Sequence, residues 1–184
     1  MDVLIVTLYS YILGSIPFGL ILTRLAGLGD VRKIGSGNIG ATNVLRTGNK
    51  FIAALTLVLD GLKGTLSVFL TVQYFNELTY YSAAIVFLAH IFPVWLKFKG
   101  GKGVATFIGS LLIINFYLSA VFIAAWLIML SLFRISALSA LLGYLITTVT
   151  AFIFFDQKII LLILFYFITS IFTHRQNIAS LIKG

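Results

Sequence analysis

Seven long apolar runs dominate this chain and leave it few folds to adopt. They are Val3–Leu25, Phe51–Val72, Thr79–Leu96, Val104–Phe116, Tyr117–Phe133, Ser136–Phe155 and Lys158–Thr173. A helix needs about 20 mostly apolar residues to cross the hydrocarbon of a bilayer. The runs lack the period-two alternation of a membrane barrel, so helices are expected. Composition agrees. Of 184 residues, 60% are hydrophobic and 10% charged, where a soluble domain carries about 45–50% and about 25%. Such an excess cannot be hidden in one core of this size, and it excludes disorder. The expected fold is an all-α integral membrane protein with seven transmembrane helices, residues 1–184 forming a single polytopic domain. The fourth run is short and its boundary with the fifth, around Asn115, is poorly marked. Six spans with a long helical excursion there is the alternative. The first run is expected to stay in place as a span. Asp2 stands where a signal peptide carries basic residues, and no small-residue cleavage pattern follows Gly14.

Orientation follows from the basic residues. With the N-terminus outside, the inner side holds Arg24, Arg32, Lys33, Arg46, Lys50, Lys97, Lys99, Lys102, Arg134, Arg175 and Lys183, eleven of the 13. The other two are Lys63, inside the second run, and Lys158, outside. Asp2, Glu77 and Asp156 fall outside. This positive-inside bias predicts N-out and C-in, which an odd number of spans satisfies. Tyr80, Tyr81, Trp95 and Tyr117 fall near the expected interfaces, as an aromatic belt does. The net charge of +8 then points to orientation and to anionic substrates rather than to nucleic acid, because no soluble basic face with interleaved aromatics exists.

Polar residues gather in four places. The first is Val31 to Arg46. Gly35, Gly37 and Gly40 satisfy G-x-G-x-x-G, a weak signal alone, and no βαβ unit surrounds it. Glycines still let backbone N–H groups approach an anion. Ser36, Asn38, Thr42 and Asn43 add neutral donors, and Arg46 adds a planar fork suited to phosphate. If Asn38–Arg46 opens the helix of the second span, its N-terminus favours an anion further. A membrane-surface loop with ordinary caps is the plainer alternative. The second place is Asp60 and Lys63, at i and i+3 inside an apolar run. Pairing lowers the cost of burying them, so a structural ion pair competes with substrate contact. The third is His90 with Lys97-Phe98-Lys99-Gly100-Gly101-Lys102-Gly103, which is not a Walker loop. Lys97 and Lys99 suit membrane anchoring, Lys102 between glycines suits an anion, and His90 suits packing. The fourth is His174 and Asn177, expected on one helix face. His174 could serve as base, donor or orienter, or as a cationic helix cap.

Other chemistries find no residues. Cysteine is absent, which removes thiolate nucleophiles, disulfides and thiolate metal sites. No His and carboxylate set has metal-ligand spacing. There is no G-x-S-x-G elbow and no acid/base carboxylate pair. No internal repeat of the transporter kind is visible.

The residues, taken in order, resemble a known family. Gly14-Ser15-Ile16-Pro17-Phe18-Gly19, Gly35 to Arg46, Asp60 to Gly64, His90-Ile91-Phe92-Pro93, Phe98 to Thr106 and His174-Arg175-Gln176-Asn177-Ile178 closely resemble the bacterial acyl-phosphate:glycerol-3-phosphate acyltransferase (PlsY) family. The resemblance covers the whole chain, and Ser36–Arg46 and Lys97–Thr106 are its specific stretches. It implies seven helices and an active site on the cytoplasmic face of the bacterial inner membrane. It implies transfer of a fatty acyl group from acyl phosphate to the 1-hydroxyl of sn-glycerol 3-phosphate. The products would be lysophosphatidic acid and inorganic phosphate, at the first acylation of phospholipid synthesis. Carried over by position, Ser36, Arg46, Lys102, His174 and Asn177 form the catalytic set. Gly37, Asn38, Gly40, Thr42, Asn43, Gly101 and Gly103 complete the phosphate site, and Asp60, Lys63 and His90 support it. Family members usually carry a serine before a leucine near the start of the sixth span. The nearest alignment puts Ala137 there, so Ser136 beside it is the candidate. Family tails usually run on to an acidic residue, for which this chain, ending at Gly184, has no counterpart.

Acyl phosphate is a mixed anhydride with phosphate as leaving group, so no protein nucleophile is required and a direct, single displacement is expected. The hydroxyl proton goes to a substrate phosphate oxygen or to His174, the former favoured because no His–carboxylate pair is evident. No metal or organic cofactor is implied. The expected partners are the two substrates and the lipid bilayer, with the protein a monomer. Two other readings share the basic inner loops. An organic-phosphate transporter would need access from both sides, and Lys158 alone offers a cation outside. A lipid-binding scaffold would not need the clustered Ser, Asn and His.

Overall fold

The computed structural model describes residues 1–182, all helix, turn or loop. Lys183, counted above on the inner side, and Gly184, where the tail ends, lie outside the described residues. The chain divides into a first unit, Met1–Ser110, and a second that begins at Leu111. The first holds α1 (Asp2–Ser15), α2 (Phe18–Leu25), α3 (Ala41–Val44), α4 (Lys50–Tyr74) and α5 (Thr79–Ile91). α6 (Val104–Ile114) runs through the boundary. The second unit continues with α7 (Phe116–Phe133), α8 (Ser136–Phe154), α9 (Gln157–Thr173) and α10 (Arg175–Ile182).

Five helical stretches among the described residues are long and apolar enough to cross a membrane: Asp2–Leu25 taken across its break, α4, Asn76–Leu96, α7 and α8. A sixth exists if α9 and α10, bent by 60°, are taken together. α6 has 11 residues, about 16 Å at 1.5 Å per residue, shorter than the hydrocarbon.

Four expectations change. The first run is interrupted at Ile16–Pro17, because proline lacks the N–H that would continue the α1 ladder. The third run stops at Ile91, ahead of Pro93, and resumes as one 3-10 turn at Val94–Leu96. Asn38–Arg46 does not open the second span. α3 and a 3-10 turn end at Gly48, whose φ is +87°, and Asn49 starts α4 afresh by accepting from the Ile52 N–H at 3.0 Å. Asn115, with φ −158°, breaks the fourth run from the fifth and accepts from the Leu118 N–H at 2.9 Å, so no continuous excursion forms there.

Small residues bring the helices of the first unit together, as expected where lipid supplies no hydrophobic drive between helices. A Cβ on Gly14 would lie 2.4 Å from the Val86 carbonyl of α5. A Cβ on Gly109 would lie 1.9 Å from the Gly61 carbonyl, and one on Gly64 would lie 2.4 Å from the Thr106 carbonyl. Thr65 donates across the same crossing to the Gly109 carbonyl at 2.9 Å. Ser10, Ser67 and Ser82 join α1, α4 and α5 by hydroxyl bonds of 2.9–3.0 Å. In the second unit α8 packs on both α7 and α9. The Phe122 ring covers Gly143 and meets Tyr144 with centroids 4.9 Å apart.

The α4–α6 crossing is tight backbone on backbone, so Gly109→Ala is expected to cost about 1–3 kcal/mol by overpacking. Thermal unfolding in detergent measures it, and an unchanged melting temperature would contradict the crossing.

Candidate active site

The glycine-rich segment is a folded loop held from within by one buried side chain. Asn43 on α3 is 2% exposed. Its amide nitrogen donates to the carbonyls of Val31 (2.9 Å), Ile34 (3.1 Å) and Asn38 (2.8 Å), and its oxygen accepts from the Ser36 N–H at 3.0 Å. Two N–H hydrogens serve three carbonyls, so Asn43 is taken up by the loop itself. Asn38 turns the chain by accepting from the Gly40 N–H at 2.8 Å. Gly35 and Gly37 take φ of +51° and +68°, which favours glycine. Arg46 needs Gly35 for a second reason, since a Cβ there would fall 2.3 Å from its Nη1. The loop rests on α2 through a backbone contact, a Cβ on Gly19 falling 1.9 Å from the Ile39 carbonyl. Ser36, Gly37, Thr42 and Arg46 remain exposed at the surface of this loop.

Charges at the loop entrance are matched by an acid. Asp30 accepts from Arg32 Nε at 2.9 Å and Nη2 at 2.6 Å, and from Arg24 Nη2 at 3.2 Å. The Arg32 guanidinium holds the Asp30 carboxyl well below the usual carboxylate range. Arg46 has no ion pair among the described residues.

The lysine loop is built on the end of α5. Lys97 and Phe98 take positive φ of 52° and 60°. The N–H groups of Gly100 and Gly101 donate to the carbonyls of Ile91 (2.9 Å) and His90 (3.0 Å). A Cβ on Gly101 would strike His90 Nε2 at 1.9 Å, and one on Gly103 would strike the Phe87 ring at 2.2 Å. These glycines therefore let the loop lie on His90 and Phe87. Lys102, half-buried between them, has its pKa lowered by burial and then by the nearby charge of Arg46. Two cations from two glycine-bearing loops thus share one neighbourhood.

Beneath both loops lies a buried ionic group. Lys63 Nζ is 2.8 Å from Asp60 Oδ1, and His90 Nδ1 is 3.6 Å from the same oxygen, every side chain being 4% exposed or less. Lys63 also donates to the Ile16 carbonyl at 2.9 Å. An apolar groove of about 400 Å³ opens beside it, lined by Leu13, Ile16, Phe18, Leu62 and Phe69 among others.

The remaining candidates sit in the second unit. Ser136 is the first residue of α8. His174 caps α9 and is 2% exposed, with Nδ1 2.9 Å from the Ser170 carbonyl. A carbonyl only accepts, so Nδ1 carries the proton of the neutral ring and Nε2 is the accepting nitrogen. Asn177 lies beyond the 60° bend, on α10. His174 and Asn177 therefore do not share the face of one continuous helix, although the Ile178 N–H still donates to the His174 carbonyl at 2.9 Å. Among the described residues no three His, Asp or Glu side chains gather as a metal site requires.

Residues 4–184 match the family model for glycerol-3-phosphate acyltransferase. The chain belongs to that family. A glycerol-3-phosphate acyltransferase of Mesorhizobium japonicum is 51% identical over 176 residues, covering 96% of this chain and 90% of the relative. One of Agrobacterium fabrum is 53% identical over 182 residues, covering 96% and 87%. The crystal structure of PlsY, an integral membrane glycerol 3-phosphate acyltransferase, in its glycerol 3-phosphate form superposes with a TM-score of 0.94 at 30% identity, covering 100% of this chain and 94% of that one. Its lysophosphatidic acid form gives 0.92 at 29% identity.

Within this family frame the chain's residues divide by what they touch. Ser36, Arg46 and Lys102 present polar groups on the two loops, while Asn43, Gly101 and Gly103 shape those loops. The hydrogen bonds of Trp95 and Thr106 had no sign in the sequence. Trp95 Nε1 donates to the Ser15 carbonyl at 2.7 Å and Thr106 Oγ1 to the Asp60 carbonyl at 3.0 Å. Their roles depend on long-range contacts that leave no local signal.

The neighbouring charges generate a prediction. Lys102→Met relieves repulsion with Arg46, so the ligand-free protein should melt slightly higher. The lysine's pKa is below its ordinary 10.5, so just under that pH the unfolded chain binds more protons and stability rises with pH. Lys102→Met should flatten this rise in melting temperature. A variant that keeps the same slope would contradict it.

Proposed function

We propose that this chain transfers an acyl group from acyl phosphate to the 1-hydroxyl of sn-glycerol 3-phosphate, releasing inorganic phosphate and lysophosphatidic acid. The observation that carries the site assignment is the approach of Arg46 and Lys102. A lysine whose protonation is disfavoured by burial and by a neighbouring positive charge marks a candidate functional site, and an anion there would relieve both effects. In this reading the enzyme is one polytopic domain of seven spans, active as a monomer. Its N-terminus lies outside and its loops face the bacterial cytoplasm. The excess of basic residues in the inner loops supports that orientation.

Arg46 grips a phosphate with its planar fork and Lys102 adds a point charge. The Ser36 hydroxyl, Thr42 and the Asn38 amide nitrogen supply neutral donors, and Ser136 is a further one, while Gly37 and Gly40 shape the loop, their N–H groups donating to the Ile34 carbonyl at 2.9 Å and to Asn38 Oδ1 at 2.8 Å. Asn43, Gly101 and Gly103 are positioning residues. His174 and Asn177 enter the reaction through the family motif at their positions. The hydroxyl attacks the acyl carbon, the tetrahedral oxyanion is stabilised by fixed donors, and phosphate leaves with the bonding electrons. The hydroxyl proton passes to a phosphate oxygen of the substrate. His174 Nδ1 is 2.9 Å from the Ser170 carbonyl, a contact that orients the ring. Holding both reactants in place can supply about 7–11 kcal/mol, and oxyanion donors a few kcal/mol more.

Purified protein in detergent, given palmitoyl phosphate and glycerol 3-phosphate, should form lysophosphatidic acid without any sealed compartment. No product from folded protein, with uptake of glycerol 3-phosphate into liposomes instead, would establish a transporter. Arg46→Ala and Lys102→Ala each remove a charge-assisted bond of about 1.5–3 kcal/mol, raising KM for glycerol 3-phosphate about 10- to 100-fold. Wild-type KM in both would refute their phosphate role. His174→Ala should lower kcat, and unchanged kcat and KM would remove it from the reaction.

A further inference from the structure

The buried ionic group is absorbed by neither the phosphate contacts nor the chemistry, yet it touches the supports of both loops. Towards the glycine-rich loop, Lys63 donates to the Ile16 carbonyl at 2.9 Å, where the α1 ladder stops at Pro17. Trp95 Nε1 holds the preceding carbonyl, of Ser15, at 2.7 Å. α2 follows the break, and Gly19 on α2 lies backbone to backbone against Ile39 of that loop. Towards the lysine loop, Asp60 faces Lys63 at 2.8 Å and His90 at 3.6 Å. The His90 ring lies under Gly101, the residue before Lys102, and its carbonyl accepts the Gly101 N–H at 3.0 Å. The Asp60 carbonyl accepts Thr106 Oγ1 at 3.0 Å, tying down the first turn after the loop.

We propose that Asp60, Lys63 and His90 are positioning residues that jointly set the separation of Arg46 and Lys102, Lys63 through the Pro17 break and α2, His90 through Gly101. Both side chains of the Asp60–Lys63 pair are buried, at 3% exposure or less. A pair that merely compensates for burial could be replaced by neutral side chains of similar volume with little change, because desolvation offsets much of its attraction. A pair that orients two loops cannot, because small displacements of a binding group far from the chemistry cost up to about 100-fold in rate.

The proposal rests on the assignment of Arg46 and Lys102 to phosphate. The test is Asp60→Asn combined with Lys63→Met in the full-length protein. It removes both charges and leaves no unpaired ion buried. The melting temperature should stay close to wild type. KM for glycerol 3-phosphate and the inhibition constant for inorganic phosphate should both rise about tenfold, with kcat/KM falling about 10- to 100-fold. Lys63→Arg, which keeps a charged donor, should recover part of the loss. A double variant that melts like wild type with unchanged KM and phosphate inhibition overturns the proposal. If the double variant does not fold, Trp95→Phe decides. It removes the bond to the Ser15 carbonyl from a half-exposed ring, and should raise both constants in the same direction. Wild-type constants there overturn the proposal. Should Arg46→Ala and Lys102→Ala leave KM unchanged, the phosphate assignment itself fails. Should they raise it while the ionic-group variants do not, this inference alone fails.

Discussion

A helix in hydrocarbon can be interrupted only where something else takes up its backbone hydrogen bonds. The break at Ile16–Pro17 is such a place, and the first unit is organised around it. Proline ends the ladder, and the freed carbonyls of Ser15 and Ile16 are met by Trp95 and Lys63. A lysine buried there needs a counter-charge, which Asp60 supplies one turn earlier on α4. α2 then follows and meets the glycine-rich loop where Gly19 touches Ile39. The interrupted span, the intramembrane ion pair and the surface loop thus meet around one proline.

Glycines do two different jobs here. Gly35, Gly37 and Gly48 allow backbone turns of positive φ. Gly14, Gly19, Gly64 and Gly109 allow backbones to touch where any side chain would collide. The result is a pair of loops held rigidly on helix ends, with basic groups on rigid supports. Cation placement follows the same economy. Arg24 and Arg32 are matched by Asp30, and the charge of Arg46 bears on Lys102. In the proposed function these two cations meet a phosphate, which suits a reaction between two phosphorylated substrates. It also suits chemistry in which the leaving group is already good. In the proposed reaction the protein needs only to orient and stabilise, with no nucleophile of its own.

Much of this was legible in the residues. Apolar runs located the helices to within a few positions, and the ends of α8 and α9 match their runs almost residue for residue. Asp60 and Lys63 could be paired from their spacing, because burial of either alone is costly. The runs Val3–Leu25 and Thr79–Leu96 were read straight through Pro17 and Pro93, because a continuous hydropathy signal masked the breaks these prolines cause. Asn43 shows the limit most clearly. As a polar residue in a glycine-rich loop it reads as a ligand, and only the fold reveals three carbonyls around its amide. His174 and Asn177 read as one helix face because spacing along the chain carries no sign of the 60° bend between them. Trp95 reads as an interface aromatic, and its bond to Ser15 spans 80 residues.

The central claim is that the protein orients two substrates for direct transfer and never carries the acyl group itself. Intact-mass measurement of the purified protein after incubation with palmitoyl phosphate alone, denatured before analysis, tests this most directly. The account predicts an unchanged mass, with phosphate release beginning only when glycerol 3-phosphate is added. A palmitoyl increment that disappears on adding glycerol 3-phosphate, as lysophosphatidic acid forms, would contradict it and establish an acyl-enzyme.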